Sequence, residues 1–172
     1  MKKIVIALLL IAIPIIYWSC EKDDICTEDT TPKMVVTFYD NDNPSVPKRF
    51  VKLQVVLDGN AYNNPNKLVF TNLDSIGIPL RPNSESTKYH LFLTYVVLND
   101  TIITNDIVEF KYSKEDLFVS RACGYKSNFR LSPDPIVPTD SIGTPLNPWI
   151  KNITVINREI INETAAHVKI LY

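Results

Sequence analysis

The chain has 172 residues, with 18 Lys and Arg against 19 Asp and Glu and a formal net charge of −1. That balance lacks the basic stripe a phosphate-backbone binder needs, so no nucleic-acid partner is expected. Four glycines leave almost nothing for a phosphate-cradling loop, and the two histidines, His90 and His167, stand in no zinc-binding spacing.

The chain opens with Met1-Lys2-Lys3, an almost unbroken apolar run from Ile4 to Trp18, and then Ser19-Cys20. A positive start, an apolar run and a small residue before a cut are the layout of a secretory signal. The run is shorter than the roughly 20 residues a comfortable membrane span takes, and Pro14 interrupts it. With a cysteine directly after the small residue, the stretch resembles a bacterial lipoprotein signal, in which that cysteine becomes the lipidated first residue. Tyr17 departs from the aliphatic residue such signals usually carry three places before the cysteine. An uncleaved anchor and an ordinary signal cut near Ser19 are the alternatives. Glu21-Lys22-Asp23-Asp24 resembles the lysine-plus-acidic export tag of Bacteroidota surface lipoproteins; its plain reading is a solvated tether.

The expected organisation is therefore a signal over 1–19, a lipidated start and tether over 20–33, and one domain over 34–172. Removal of the signal leaves 172 − 19 = 153 residues, enough for a single sizeable core. If a lipid occupies Cys20, the two remaining cysteines are Cys26 and Cys123. Outside the cytoplasm thiols oxidise and disulfides persist, which predicts a Cys26–Cys123 bridge. Two separately buried thiols are the alternative, and a nucleophilic Cys123 with Arg121 beside it is the minor one.

Met34 to Tyr39 is β-branched and aromatic, the composition of a strand. Asp40-Asn41-Asp42-Asn43-Pro44 ends it as a turn rather than a calcium loop, since the glycine and distal glutamate of an EF-hand are absent. Val51, Leu53, Val55 and Leu57 alternate with Lys52, Gln54 and Val56, which predicts a strand with one wet face. Asp74 to Leu80 contains Pro79 and reads as an edge strand. Tyr89 to Leu98 is apolar on both faces and reads as a central strand, turning at Asn99-Asp100 into a return strand over Thr101 to Tyr112. Ser113 to Asp116 reads as a turn, with one helical turn as the alternative; Leu117 to Tyr125, which carries Arg121-Ala122-Cys123-Gly124-Tyr125, and Lys126 to Leu131 follow.

Five prolines between Ser132 and Trp149 make 132–148 a surface connection. Within it Asp140 to Leu146 nearly repeats Asp74 to Leu80, read as shared edge geometry with a duplicated half-domain as the alternative. Trp149 to Ile161 and Thr164 to Tyr172 then read as two strands joined at Asn162-Glu163. His90 reads as half-buried on its strand and His167 as solvated on the last strand's wet face. Eight or so short strands without helical period predict an all-β fold: a single antiparallel β-sandwich of immunoglobulin-like or related Greek-key topology.

Cys20, Cys26, the Val35 to Tyr39 strand, the Arg121-Ala122-Cys123-Gly124-Tyr125 run and the ending His167-Val168-Lys169-Ile170 together resemble a family of small uncharacterised Bacteroidota lipoproteins. The resemblance implies location and a single domain, and it brings no catalytic residue. The expectation is a non-enzymatic outer-membrane lipoprotein, an accessory or binding module of the cell envelope, with no cofactor and no metal. Its partners would be the membrane, through the N-terminal lipid, and an envelope protein or glycan. Surface display is slightly favoured over a periplasm-facing position. The alternatives are a glycan-binding or glycan-processing accessory, which an exposed Trp149 or tyrosine cluster would mark, and a cryptic hydrolase with convergent acids in a pocket.

Overall fold

In a computed structural model, which describes residues 26–27, 30–135 and 148–172, ten strands form two sheets. The signal region, Cys20, Glu21 to Asp24 and the Asp140 to Leu146 stretch lie outside the described residues. The smaller sheet has the order β4 (Ser75–Ile78), β1 (Met34–Tyr39), β10 (Val168–Leu171) and β8 (Asn152–Val155). The larger has the order β3 (Leu68–Leu73), β2 (Phe50–Leu57), β5 (Ser86–Val97), β6 (Asp100–Ser120), β7 (Gly124–Leu131) and β9 (Glu159–Ile160). Neighbouring strands pair antiparallel except β1 and β10, which run parallel.

The two sheets close on each other as the expected sandwich because their strands alternate apolar and polar residues, and only face-to-face packing hides all the apolar faces. Met34, Val36 and Phe38 of β1 are buried with Val168 and Ile170 of β10, opposite Leu91 and Leu93 of β5 and Val108 and Phe110 of β6. Phe38 meets Phe50 edge to face at 5.1 Å. The core is stitched by polar groups as well. Trp149 is 7% exposed and its Nε1 donates to the carbonyl of Leu91 at 3.1 Å. Ile150 donates its N–H to Oδ2 of buried Asp106 at 2.8 Å.

β6 organises the larger sheet. Its 21 residues pair first with β5, from Asp100 to Lys111, and then with β7, from Tyr112 to Ser120. The turn expected at Ser113 to Asp116 is therefore continuous strand. Its polar residues find partners there instead: across the ladder Ser127 Oγ donates to Asp116 Oδ1 at 2.6 Å, and along β6 Lys114 pairs with Asp116 at 2.7 Å. The β5–β6 turn also sits one residue earlier than expected. Val97 pairs with Asp100, and Leu98 and Asn99 take the positive φ values of 48° and 73° that a tight hairpin turn requires.

Other expectations hold or shift for local reasons. β4 is the edge strand foreseen around Pro79. The Asp40 cluster is a turn closed by Asp40 Oδ1, which accepts the N–H of Asp42 at 2.8 Å. The face of β2 expected to be wet is covered, because Tyr62 from the following loop donates its hydroxyl to Gln54 at 2.6 Å and packs on Phe92. The strand expected over Trp149 to Ile161 is two short pieces in different sheets. β8 pairs with β10, whereas β9 adds to β7, so no hairpin forms around Asn162-Glu163.

Candidate functional site

Two features of the surface are built rather than incidental. The first is the β6–β7 hairpin end. Arg121, Ala122 and Cys123 make its turn, and Gly124 resumes the strand at a φ of 70°, which glycine adopts without steric cost. Cys26 and Cys123 stand at disulfide distance and are joined, with Cα atoms 4.9 Å apart. Ser127 donates its N–H to Oγ1 of Thr31 at 3.0 Å, so the tether is held against β7 at a second point. Beside the disulfide, Phe118 and Tyr125 face each other across the ladder with ring centroids 5.4 Å apart. They are 60% and 71% exposed.

The second is a groove of about 770 Å³ between the Pro82 to Glu85 turn, β6 at Tyr112 to Lys114, β7 at Arg130 and the residue before β9, Arg158. Its floor is a polar knot. The Tyr112 hydroxyl donates to the carbonyl of Arg81 at 2.8 Å and lies 2.5 Å from Oγ1 of Thr87. The N–H of Arg81 donates to both oxygens at 3.0 Å. With the Tyr112 proton committed to Arg81, the Thr87 hydroxyl is the donor to Tyr112. Burial pushes the Tyr112 pKa up, so the knot stays protonated at neutral pH. Around the rim, Arg130 pairs with Glu159 at 3.0 Å, and Arg158 Nε donates to the carbonyl of Leu131 at 2.8 Å. Three cations, three serines and one carboxylate, Glu85, line the groove. Such a rim can hydrogen-bond a hydroxyl-rich or anionic ligand. Among the described residues that line it, Glu85 is the one carboxylate, where glycoside hydrolysis uses a facing pair.

Residues 54–172 match a family of unknown function, DUF6452. The chain belongs to that family. No curated protein and no solved structure matches it. The DUF6452 match begins inside β2 and takes in Cys123, the whole groove and both histidines, and it leaves Cys26 and β1 outside.

Within the family region the histidines behave differently from one another. His90 is half-buried on the outer face of β5 as expected; Nε2 lies 2.9 Å from Asp58 and Nδ1 lies 3.2 Å from Nδ2 of Asn105. His167, expected to be solvated, is 1% exposed. It precedes β10, so it does not follow that strand's outward alternation; its N–H donates to the carbonyl of Val35 at 2.9 Å and its Nδ1 accepts from the N–H of Val35 at 2.9 Å. Burial pushes its pKa down, against the opposing pull of Glu159 and Glu163. Trp149 is likewise interior, which removes it as a sugar-stacking platform. Tyr89 and Tyr112 spend their hydroxyls on Pro79 and Arg81. Tyr62 carries the Lys67 ammonium 5.2 Å above its ring. The groove was not foreseen in the sequence. Its residues come from four separated stretches, which no local pattern in the sequence joins. Cys20 and Glu21, Lys22, Asp23 and Asp24 lie outside the described residues.

Proposed function

We propose that this DUF6452 protein is a non-enzymatic lipoprotein of the outer membrane, anchored through Cys20 and serving as an accessory or binding module of the cell envelope. The observation that carries the reading is the Cys26–Cys123 pair. It ties the tether, 26 − 20 = 6 residues after the candidate lipidation site, to the turn at the end of β6, the longest strand. A secretory signal, an oxidised cysteine pair and a third cysteine placed at the signal's end form one consistent chemistry. The domain then works close to its membrane and stands away from it along β6.

With Glu21 to Asp24 as an export tag of the Bacteroidota kind, the domain is displayed on the cell surface. Protease shaving of intact cells tests this. The wild-type domain should be digested, and the variant with Lys22, Asp23 and Asp24 changed to alanine should be protected. Digestion of the wild-type protein only after lysis would place it on the periplasmic side.

A second reading, a glycan-binding accessory, is favoured by the groove over Tyr112. Its cations and serines suit an acidic saccharide. Titration calorimetry with uronic-acid oligosaccharides should give heat that the Arg130→Ala, Arg158→Ala double variant loses; no heat with either protein removes this reading.

A further inference from the structure

We infer that the β6–β7 hairpin tip seats in the headgroup layer of the anchoring membrane, with Phe118 and Tyr125 as its apolar contact. The inference rests on the lipid-anchor reading and names a second point of attachment.

Phe118 and Tyr125 lie on the same face of the hairpin as Tyr112, Phe129 and Leu131, which are buried in the core. Strand alternation carries that face past the polar residues Lys114, Asp116 and Ser127 and returns it to apolar side chains at the tip. At the tip the two rings cover each other's edges and are otherwise open. Two paired aromatics this exposed are costly in water unless something covers them.

The chain length outside the described residues says what covers them. Six residue steps separate Cys20 from Cys26, and a fully extended chain advances about 3.3–3.6 Å per step, so the leash reaches roughly 20–22 Å at most. Cys26 is bonded to Cys123, and Tyr125 follows Cys123 by two residues. The same bound therefore holds the hairpin tip near the lipid. The headgroup layer is about 5–7 Å deep on each side of the hydrocarbon core, a depth that two side chains at a hairpin tip can fill.

The charge of the tip agrees with that occupant. The ten residues 117–126 contain Arg121 and Lys126 and no acid. Tyrosine rings partition to membrane–water interfaces, where the ring is apolar and the hydroxyl stays wet. Cations close to them find anionic headgroups. A second copy of the chain would bring the same two cations against themselves.

The test uses the full chain, processed and lipidated in its host, reconstituted into phosphatidylethanolamine vesicles containing phosphatidylglycerol. Tyr125→Trp reports on the tip, with the wild-type protein as the baseline for buried Trp149. Mass spectrometry of the Cys20 peptide is read on the same sample. The expected result is a lipidated peptide together with loss of the added emission to lipids brominated near the headgroup, and a smaller loss to lipids brominated near the chain end. Adding Arg121→Glu and Lys126→Glu should reduce the quenching. A lipidated peptide with unquenched emission overturns the seating and leaves the anchor standing, whether the tip proves solvated or cross-links to a second copy. An unmodified Cys20 overturns the anchor, and the seating with it.

Discussion

Val35 donates its backbone N–H to Nδ1 of His167 at 2.9 Å, joining β1 to the residue ahead of β10 across 132 positions. Only an unprotonated Nδ1 can accept that bond. Burial holds the imidazole below its ordinary value of 6.5, so the unfolded chain takes up the proton first as pH falls. The stability linked to His167 is complete above 6.5 and is lost as pH drops from there through the lower folded value. Its slope is at most about 1.36 kcal/mol per pH unit. Urea unfolding across that range should show the loss. His167→Asn, which keeps an acceptor near the Nδ1 position and removes the titration, should flatten it. An unchanged slope in the variant would assign the loss to other groups.

Cys26 and Cys123 close a loop of 97 residues. The loop-entropy model values such a bridge at about 4–5 kcal/mol. Both thiols should therefore resist alkylation until the protein is reduced, and Cys123→Ser should melt at a lower temperature. Alkylation of the native, unreduced protein would refute the bridge.

Leu98 is 94% exposed and sits at a φ of 48°, in the left-handed region that costs an ordinary residue about 1–2 kcal/mol. Asparagine tolerates this conformation, and the leucine side chain gains almost no packing in return. Leu98→Asn should move the denaturation midpoint to higher urea at an unchanged m-value, with a gain of about 0.5–1 kcal/mol. A lower midpoint would mean that the leucine is covered in solution.

Asp106 holds the segment that brings Trp149 into the core, through the N–H of Ile150. Replacement by Leu leaves that N–H unpaired and should cost about 1–3 kcal/mol, with acrylamide gaining access to Trp149. Asp106→Asn keeps an acceptor and should cost less. Burial raises the Asp106 pKa, so the stability linked to it is complete below the ordinary 3.8 and declines as pH rises through the folded value. Equal costs for the two variants would detach the effect from the hydrogen bond.

Much of this fold could be read along the chain. Met34 to Tyr39 declared a strand through its β-branched and aromatic composition, and the structure added which alternate side chains face the core. Asp74 to Leu80 announced an edge strand through one proline, and the cysteine pair followed from compartment and count. Ser113 to Asp116 misled because serine, lysine and acids favour turns in isolation. In the folded chain Ser127 satisfies Asp116 from the opposite strand, and that partner is invisible to a local window.

What the sequence determined by itself was the class of the fold and the residues able to cross-link it, since strand period and cysteine chemistry are local properties. The tertiary structure decided where the short C-terminal pieces go. Four-residue β8 and two-residue β9 carry too little pattern to choose a sheet, and their hydrogen-bond partners on β10 and β7 choose for them. It also decided that Trp149 and His167 lie inside. Their polar atoms find backbone partners on β5 and β1, 58 and 132 positions away, and only chain folding brings those partners within reach.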